Sequence, residues 1–376
     1  MEPLMKEIIN NYQWKTGRPD YLTIGVLGSH SALDVAKGGS DEGLDTLVVC
    51  KKGREKVYEF HKKRQRGHHH VGCINDVMAL ENWSDIASKE NIEKMIKSHT
   101  ILVPHRSMEV YLGYDIIEKQ LRVPIFGNRH LLRAEERTGP YKIEKNQDYL
   151  VRVAGLPSPR KFSSPDEIDV PVIVKATKAI GDRSFERRFP IVSSKEEYES
   201  ACQKLVSQGR TDAEKKAIEK NFKSATIEEY IEGNNTVNLN FFYSPLHNND
   251  KPYGGLELMG CDTRKQFPNG EEFLHIPVSL RESLMQKAYD MGMKFVETAR
   301  KEMPPGIIGP FALQTIGDKN EKMLVYDVSL RIPGSPDTEV TPYTGYFHRE
   351  PISFGRRIAM EIKEAFTEHK LSYILT

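Results

Sequence analysis

Short apolar runs alternate with segments of helical spacing through the first third of the chain. The runs that predict strands lie at residues 21–27, 47–50, 100–103 and 123–126. The segments that predict helices lie at residues 31–37, 91–98 and 108–120, the first one ended by Gly38 and Gly39. Because parallel strands need a crossover connection, which a helix usually supplies, this alternation favours a parallel sheet. We therefore predict an α/β domain over residues 1–140.

The rest of the chain mixes antiparallel strand signals with long amphipathic helices. Strands are predicted at residues 170–175, 185–192, 225–231, 236–243 and 256–261. Helices are predicted at residues 146–154, 196–207, 283–302 and 356–368. Ser194 and Glu197 form a capping box that opens the second of these helices. The fold class is therefore α/β followed by α+β, with lobes over residues 141–225 and 226–376.

A hairpin near the end of the chain carries the clearest chemical signal. If its turn is centred on Asn320 and Glu321, Gln314 lies opposite Asp327, with Cβ atoms about 5 Å apart. Period-2 alternation predicts an apolar face formed by Leu324, Tyr326, Val328 and Leu330. The opposite face presents a carboxylate, an amide oxygen and the cation of Arg331, a set that suits a magnesium-bound polyphosphate. The alternative is a hairpin with one apolar face and one solvated face.

Three predicted strands of the first domain end in polar loops, at residues 28–31, 104–107 and 127–130. The carboxyl ends of parallel strands line one crevice, where ligands bind, and the first loop opens a helix whose N-terminus favours an anion. His30 and Arg129 lie in these loops, and further positive charge comes from Lys51, Arg54 and Arg133. The glycine spacing after the first strand is not the dinucleotide fingerprint, which argues against an NAD enzyme.

The second and third lobes contain further candidates, each with a structural alternative. Lys175 ends a buried strand and could reach a phosphate or simply terminate the strand. Glu228 and Glu229 interrupt an apolar strand, where acids accept from a ribose or adenine amine but also occur on edge strands. Asn238 and Asn240 face one side of a strand and could bind a ligand or pair across the sheet.

The bulk composition excludes several classes of protein. The chain has 376 residues, 38% of them hydrophobic, and its formal net charge of +1 argues against broad electrostatic binding of nucleic acid. No apolar run reaches the roughly 20 residues of a membrane span, and the N-terminal segment lacks the pattern of a secretory signal. The four cysteines form no CxxC pair. We therefore expect a cytoplasmic protein with no membrane partner.

Seven motifs, in chain order, resemble those of one enzyme family. They lie at residues 23–33, 103–107, 123–129, 227–230, 241–245, 281–283 and 304–311. Together they resemble the archaeal PurP family of ATP-grasp ligases, which are 5-formaminoimidazole-4-carboxamide ribonucleotide (FAICAR) synthetases. The resemblance implies an ATP-grasp fold preceded by a Rossmann-like parallel-sheet domain.

The resemblance also implies a reaction and a set of site residues. ATP would activate formate as formyl phosphate, which the amine of aminoimidazole carboxamide ribonucleotide (AICAR) would attack, in a protein that self-associates. By position, the family's AICAR contacts fall on His30, Ser107 and His275, its ATP contacts on Lys175 and on Glu228 or Glu229, and its Mg²⁺ or Mn²⁺ ligands on Gln314 and Asp327. We expect Arg331 and Lys175 to be catalytic, because their cations would neutralise the transferring phosphoryl group.

Three departures from the family pattern leave the substrate open. The loop after Lys175 has a single glycine and several cations, His275 stands where the family has asparagine, and Asp327 stands where the family usually has glutamate. These departures keep two alternatives in view. One is an ATP-grasp ligase for another carboxylate and amine, and the other is a nucleotide-binding regulator that does not turn over.

Overall fold

The computed structural model describes residues 3–137, 141–175, 190–232, 236–266, 272–317, 322–334 and 337–376. Within these ranges the helices are α1 Pro3–Lys15, α2 Ala32–Asp41, α3 Lys56–Phe60, α4 Lys89–Lys97, α5 Arg106–Leu112, α6 Gln147–Val153, α7 Lys195–Val206, α8 Asp212–Lys223, α9 Glu282–Glu302, α10 Tyr343–His348, α11 Phe354–Thr367 and α12 Leu371–Ile374. The strands are β1 Thr23–Leu27, β2 Asp45–Lys51, β3 Arg64–Arg66, β4 His69–Val71, β5 Asp76–Leu80, β6 Thr100–Val103, β7 Lys161–Phe162, β8 Val172–Lys175, β9 Ile191–Val192, β10 Thr226–Glu229, β11 Thr236–Tyr243, β12 Leu256–Gln266, β13 Glu272–Pro277, β14 Gly309–Gly317 and β15 Met323–Ser329.

The first sheet is parallel, as the alternation of strands and helices predicts, and its strand order is β5-β2-β1-β6, in which β5 is not one of the predicted strands. Every residue of β1 is buried, because helices cover both faces of a parallel sheet. The predicted strand at residues 123–126 is reduced to a bridge between Leu102 and Ile125. None of the helices in the described ranges is long and apolar enough to cross a membrane.

The predicted end of α2 at Gly38 and Gly39 is wrong, because the helix continues to Asp41. A Cβ atom on Gly38 would lie 2.0 Å from the backbone carbon of Gly355 and from the backbone nitrogen of Arg356. The glycine is therefore needed for the close approach of α2 and α11 and does not end the helix.

A small antiparallel sheet follows, with strand order β7-β10-β8-β9. Its core is formed by the side chains of Phe162, Val172, Val174, Val192, Tyr198, Cys202, Phe222 and Ile227, some of which come from α7 and α8. The predicted return strand at residues 185–192 is confirmed at Ile191 and Val192, which pair with β8, and its first part lies outside the described residues. Because β10 belongs to this sheet, we propose that the second lobe extends beyond residue 225, to Glu229.

The third sheet is antiparallel, with strand order β13-β12-β11-β14-β15. One of its faces packs on α9 through side chains such as Leu239 and Phe241 of β11 and Phe295 of the helix. The other face turns toward the first domain, where Phe242 lies 6.3 Å from Phe126 between ring centres. The sheet thus separates an apolar helix layer from a polar face that meets the first domain.

The predicted register of the β14–β15 hairpin is confirmed, because Gln314 pairs with Asp327. The predicted centre of its turn lies outside the described residues. A bulge beside Gln314 shifts the register, so that Thr315 pairs with Val325. Because a bulge resets the alternation of side chains, the predicted apolar face is wrong at Leu324 and Tyr326, and the core instead receives Met323, Val325, Val328 and Leu330.

The last two helices join the core of the first domain. Side chains of α11 and α12, among them Ile358, Ile362 and Ile374, share one buried cluster with Ile24 of β1. The chain end also forms a bridge from Leu375 to Phe126. The C-terminal segment therefore holds the first domain against the third sheet.

The contact between α2 and α11 predicts a difference between two helical glycines. We expect Gly38→Ala to cost about 2 kcal/mol of stability, because a methyl group there would meet backbone atoms that cannot move aside. Gly345→Ala is the control, since no atom lies within 4 Å of the position of its added Cβ. Thermal unfolding should show a midpoint lowered by about 5 °C for Gly38→Ala only. Equal midpoints would contradict the close helix contact.

Candidate functional site

The loops after β1 and β6 form one wall of a crevice at the carboxyl edge of the first sheet. Ser107 donates a hydrogen bond of 2.7 Å from its hydroxyl to that of Ser29, next to His30. Arg54 donates to the Tyr111 hydroxyl at 3.2 Å, which lowers the pKa of Tyr111. The structure thus brings His30 and Ser107 to neighbouring loops, as predicted, and adds polar groups beside them.

His105 fixes the loop that carries Ser107. Its Nε2 lies 2.9 Å from the carbonyl oxygen of Leu27, and its Nδ1 accepts from the backbone nitrogen of Ser107 at 3.2 Å. Burial lowers the pKa of His105 to about 4, so the ring is neutral at physiological pH. His105 also forms a bridge with Ile332, which ties the loop to the segment after β15.

The side chain of Arg129, a predicted substrate contact, has a structural role instead. Arg129 is buried, and its guanidinium donates to four backbone carbonyls at 2.5–3.1 Å, those of Ile117, Leu121, Val123 and Thr376. These bonds hold the chain end against the first domain.

Arg331 lies between the first domain and the third sheet. Its guanidinium lies 3.1 Å from the carboxylate of Glu135 and 3.8 Å from that of Glu109. Burial and the neighbouring Glu135 raise the pKa of Glu109 to about 8, although Arg106 donates to it at 2.7 Å. The segment that follows Arg331 contacts the loop after β1, since the Ser31 hydroxyl donates to the Pro333 carbonyl oxygen at 3.5 Å. Burial lowers the pKa of His30 in that loop, and the cation of Arg331 lowers it further.

Lys175 and the buried Glu228 form an ion pair on the small sheet. The Lys175 ammonium lies 2.6 Å from the Glu228 carboxylate and 5.2 Å from the ring centre of Tyr326 on β15. Burial lowers the pKa of Lys175 despite this partner. Glu229 instead accepts from the backbone nitrogen of Arg160, whereas the second carboxylate oxygen of Glu228 is buried and has no hydrogen-bond partner among the described residues.

Gln314 and Asp327 lie side by side on the polar face of the third sheet. The amide nitrogen of Gln314 donates to the hydroxyl of Ser329 at 3.3 Å, and the carboxylate of Asp327 accepts from Arg137. Burial alone would raise the pKa of Asp327. Nearby cations outweigh burial and hold this pKa below its usual range; they are Arg137, Arg264, Lys175 and Arg331. Asp327 is therefore a carboxylate at neutral pH.

The Gln314–Asp327 pair fits a hard divalent cation. The amide oxygen of Gln314 is buried and has no hydrogen-bond partner in the described part of the chain. Amide and carboxylate oxygens are ligands that Mg²⁺ accepts, and Mg²⁺ is commonly bound by one or two carboxylates together with substrate phosphates. Among the described residues no group of three or more His, Cys, Asp and Glu side chains could hold a metal by itself. This arrangement is therefore typical of a metal that is completed by phosphate oxygens.

Asn238 and Asn240 pair across the sheet, which was one of the two alternatives. Both amide nitrogens donate at 2.7 Å to the carboxylate of Asp262 on β12. His275, on the next strand, contributes its Nδ1 at 2.9 Å from the same carboxylate. The predicted substrate residue His275 thus lies at the edge of a buried polar network.

Sequence reasoning missed several members of the site. Asp262 had only a weak signal, since it directly follows the apolar residues 258–261 of β12, and further polar residues come after it. Glu135, at the end of a short 3-10 helix, and Arg137, just after it, had none, because they meet Arg331 and Asp327 only through the tertiary fold.

Comparison with known proteins identifies the family to which this chain belongs. Two family models match, one described as a protein of unknown function, DUF1246, over residues 24–162, and one described as a domain of unknown function, DUF1297, over residues 204–274 and 268–376. A FAICAR synthetase of Methanocaldococcus jannaschii is 34% identical, and the match covers 95% of this chain and 96% of that protein. The chain belongs to the FAICAR synthetase family. The resemblance seen in the motifs is therefore confirmed.

Solved structures agree with the FAICAR synthetase family. An IMP biosynthesis protein PurP from Thermococcus kodakaraensis has a TM-score of 0.65 at 25% identity, covering 94% of this chain and 100% of that chain. The ADP complex of the purK protein, an N5-carboxyaminoimidazole ribonucleotide synthetase, has a TM-score of 0.59 at 12% identity, covering 88% of this chain and 78% of that chain. The second likeness shows the fold alone. The predicted fold, ATP-grasp with an N-terminal parallel sheet, is confirmed.

The neutral His105 predicts how stability depends on pH. Its folded pKa of about 4 lies below the ordinary value of 6.5, so between these values the unfolded chain binds more protons. The His105 contribution to the free energy of unfolding therefore falls as the pH falls from 6.5 toward 4 and is fully present above 6.5, whereas the raised pKa of Glu109 contributes a slope of the opposite sign. We expect His105→Gln to reduce the slope, since glutamine can donate to Leu27 and accept from Ser107. Thermal unfolding across this pH range measures the slope.

His69→Gln is the matched control, because His69 is exposed on the β3–β4 hairpin. Burial also lowers the pKa of His30 and of His99, so part of the slope remains in the His105 variant. A slope that is the same in wild type and in His105→Gln would contradict the neutral buried ring.

Proposed function

We propose that the protein converts AICAR to FAICAR with ATP and formate. The observation that carries the proposal is the Gln314–Asp327 pair, with its buried, unpartnered amide oxygen, close to the cations of Lys175 and Arg331. This set supports phosphoryl transfer, and the loops with His30 and Ser107 support a second ligand bound by the first domain. The relatives' name supports AICAR as that ligand.

The proposed reaction consists of two consecutive steps. A formate oxygen attacks the γ-phosphorus of ATP, the bond to the bridging oxygen breaks, and ADP leaves with that electron pair. The AICAR amine then attacks the formyl carbon, the carbon–oxygen bond to phosphate breaks, and the amine proton passes to the departing phosphate. Formyl phosphate hydrolyses readily, so the site must exclude water between the two steps.

We propose a different role in these two steps for each side chain of the site. Gln314 and Asp327 would hold the metal ion, which supplies positive charge to the phosphate oxygens. We propose that Mg²⁺ serves and that Mn²⁺ can replace it, because both take oxygen ligands. Lys175 and Arg331 would balance the charge of the transferring phosphoryl group, and Glu228 is the proposed acid that faces ATP. The glycine-poor loop after Lys175 lies outside the described residues.

We also propose a cytoplasmic location and self-association. The four cysteines are all free thiols, which supports a reducing compartment. Self-association is supported by the family resemblance alone.

The division of ligands between the two regions predicts opposite effects for two variants. Asp327→Ala should lower the rate of ATP turnover about 100-fold, because it removes a carboxylate from the metal site. The same variant should bind AICAR as wild type does. His30→Ala should weaken AICAR binding about 10-fold and leave the affinity for ATP unchanged. Steady-state ADP release and calorimetric titration of each ligand measure these effects.

Asp148→Asn is the matched control for Asp327. Asp148 lies 3.7 Å from the same Arg137 side chain, so this variant also perturbs the arginine but spares the metal ligands. Turnover should stay within about threefold of wild type. Equal loss of AICAR affinity in a folded Asp327→Ala protein would show that the two ligands do not rest on separate regions.

A further inference from the structure

Two buried amide oxygens on β11 have no hydrogen-bond donor. Asn238 and Asn240 are each 2% exposed, and each presents its amide nitrogen to Asp262. A carboxylate only accepts hydrogen bonds, so both amides must turn their nitrogens toward Asp262 and their oxygens away from it. Neither oxygen has a partner within the residues that the structure describes. Such buried acceptors are rare in folded proteins and call for an explanation.

Asp262 holds this arrangement rigidly. It is fully buried and accepts from three donors, namely the two asparagines and His275. Burial alone would raise its pKa, but these hydrogen bonds outweigh burial and hold the pKa of Asp262 below its usual range. The carboxylate stays charged, and the orientation of the two amides therefore stays fixed across the physiological pH range.

We infer that Asn238 and Asn240 form an amide cradle that accepts hydrogen bonds from the carboxamide and amine groups of the aminoimidazole ring. Asp262 acts as the positioning residue of this cradle. The inference rests on the proposed function and adds to it the part of the protein that recognises the reacting base.

The chemistry of the cradle argues against formate, phosphate or a second metal ion as its ligand. Formate and phosphate oxygens only accept hydrogen bonds, so they would repel two amide oxygens. A second metal ion is disfavoured by the positive charge nearby. Arg264 lies close enough to lower the pKa of both Asp327 and His30, and Arg331 does the same. N–H donors on a neutral ring satisfy the cradle without adding positive charge.

The order of strands favours the aminoimidazole ring over the adenine of ATP. Lys175, the proposed phosphate contact, lies beside Tyr326 on β15, at one edge of the third sheet. Gln314 on β14 follows, and the cradle on β11 comes after it, further from that edge. His275 lies beyond the cradle on β13, on the side away from β15, and its charge adds to burial and Arg331 in lowering the pKa of His30. The cradle is therefore on the AICAR side of the metal site.

The contact also suits the chemistry of the amine. As the amine attacks the formyl carbon, its nitrogen gains positive charge and its N–H groups become stronger donors. An acceptor that is already oriented stabilises this charge without reorganising. The cradle is expected to contribute to binding and also to the rate of attack.

The test is calorimetric titration of the full-length protein with AICAR and with the analogue that has a carboxylate in place of the carboxamide. Wild type should bind the carboxamide at least about 10-fold more tightly, because the analogue keeps its amine but loses the carboxamide N–H donors and brings acceptor oxygens to the cradle. In Asn238→Ala and Asn240→Ala this preference should shrink toward equal affinity. The affinity for ATP should not change in either variant.

Thr236→Val is the matched control on the same strand. The Thr236 hydroxyl already pairs with that of Thr263 at 3.0 Å, so its loss should leave the preference for the carboxamide unchanged. A thermal midpoint close to that of wild type identifies the variants that have folded.

Two outcomes overturn the cradle while leaving the proposed function in place. One is equal affinity of wild type for the two ribonucleotides, a result that needs no variant to fold. The other is loss of Mg²⁺ affinity, measured with ADP and Mg²⁺ alone, in the asparagine variants. Failure of wild type to bind either ribonucleotide overturns the cradle and the proposed function together.

Discussion

The alternation of side chains along β11 is the constraint on which the site depends. Leu239 and Phe241 pack against α9, whereas Asn238 and Asn240 face the other way into the polar network. Phe242 continues that second face into the core of the first domain. Because successive side chains point to opposite faces, a shift of one residue would bury two asparagines against α9 and expose the apolar set. The side chains of β11 thus contribute to the core that packs on α9, to the polar network of the site and to the contact with the first domain.

Three partly buried cations lie at the site, and each has a carboxylate partner. Lys175 pairs with Glu228, Arg331 with Glu135, and Arg137 with Asp327. An unpaired buried charge would be strongly destabilising, so these carboxylates keep the cations in place when no ligand is bound. Two of the three pairs join separate parts of the chain, since Glu135 and Arg137 come from the segment before α6. The cost of removing these cations from water is therefore already compensated in the folded protein. A polyphosphate and its metal can bind to them without that cost being added.

The pattern of apolar and polar residues predicted those parts of the fold that depend on residues close together in the sequence. The parallel sheet of β1, β2 and β6 followed from alternating strands and helices, and the pairing of Gln314 with Asp327 followed from the length of the hairpin. The bulge beside Gln314 could not be predicted, because an extra residue in a strand leaves no clear mark in an apolar run. Gly38 of α2 was misread for a similar reason, since its role depends on a helix more than 300 residues later. Arg129 and Asp262 show the same limit at the site, because tertiary partners decide whether a polar side chain is structural or faces a ligand.

ADP release by the purified protein with Mg²⁺, ATP, formate and AICAR, each omitted in turn, is the decisive test of the proposed reaction. We expect release that requires all four components, with FAICAR formed in equal amount to ADP. Release that does not depend on formate or AICAR, or no release by protein that binds both nucleotides, would contradict it.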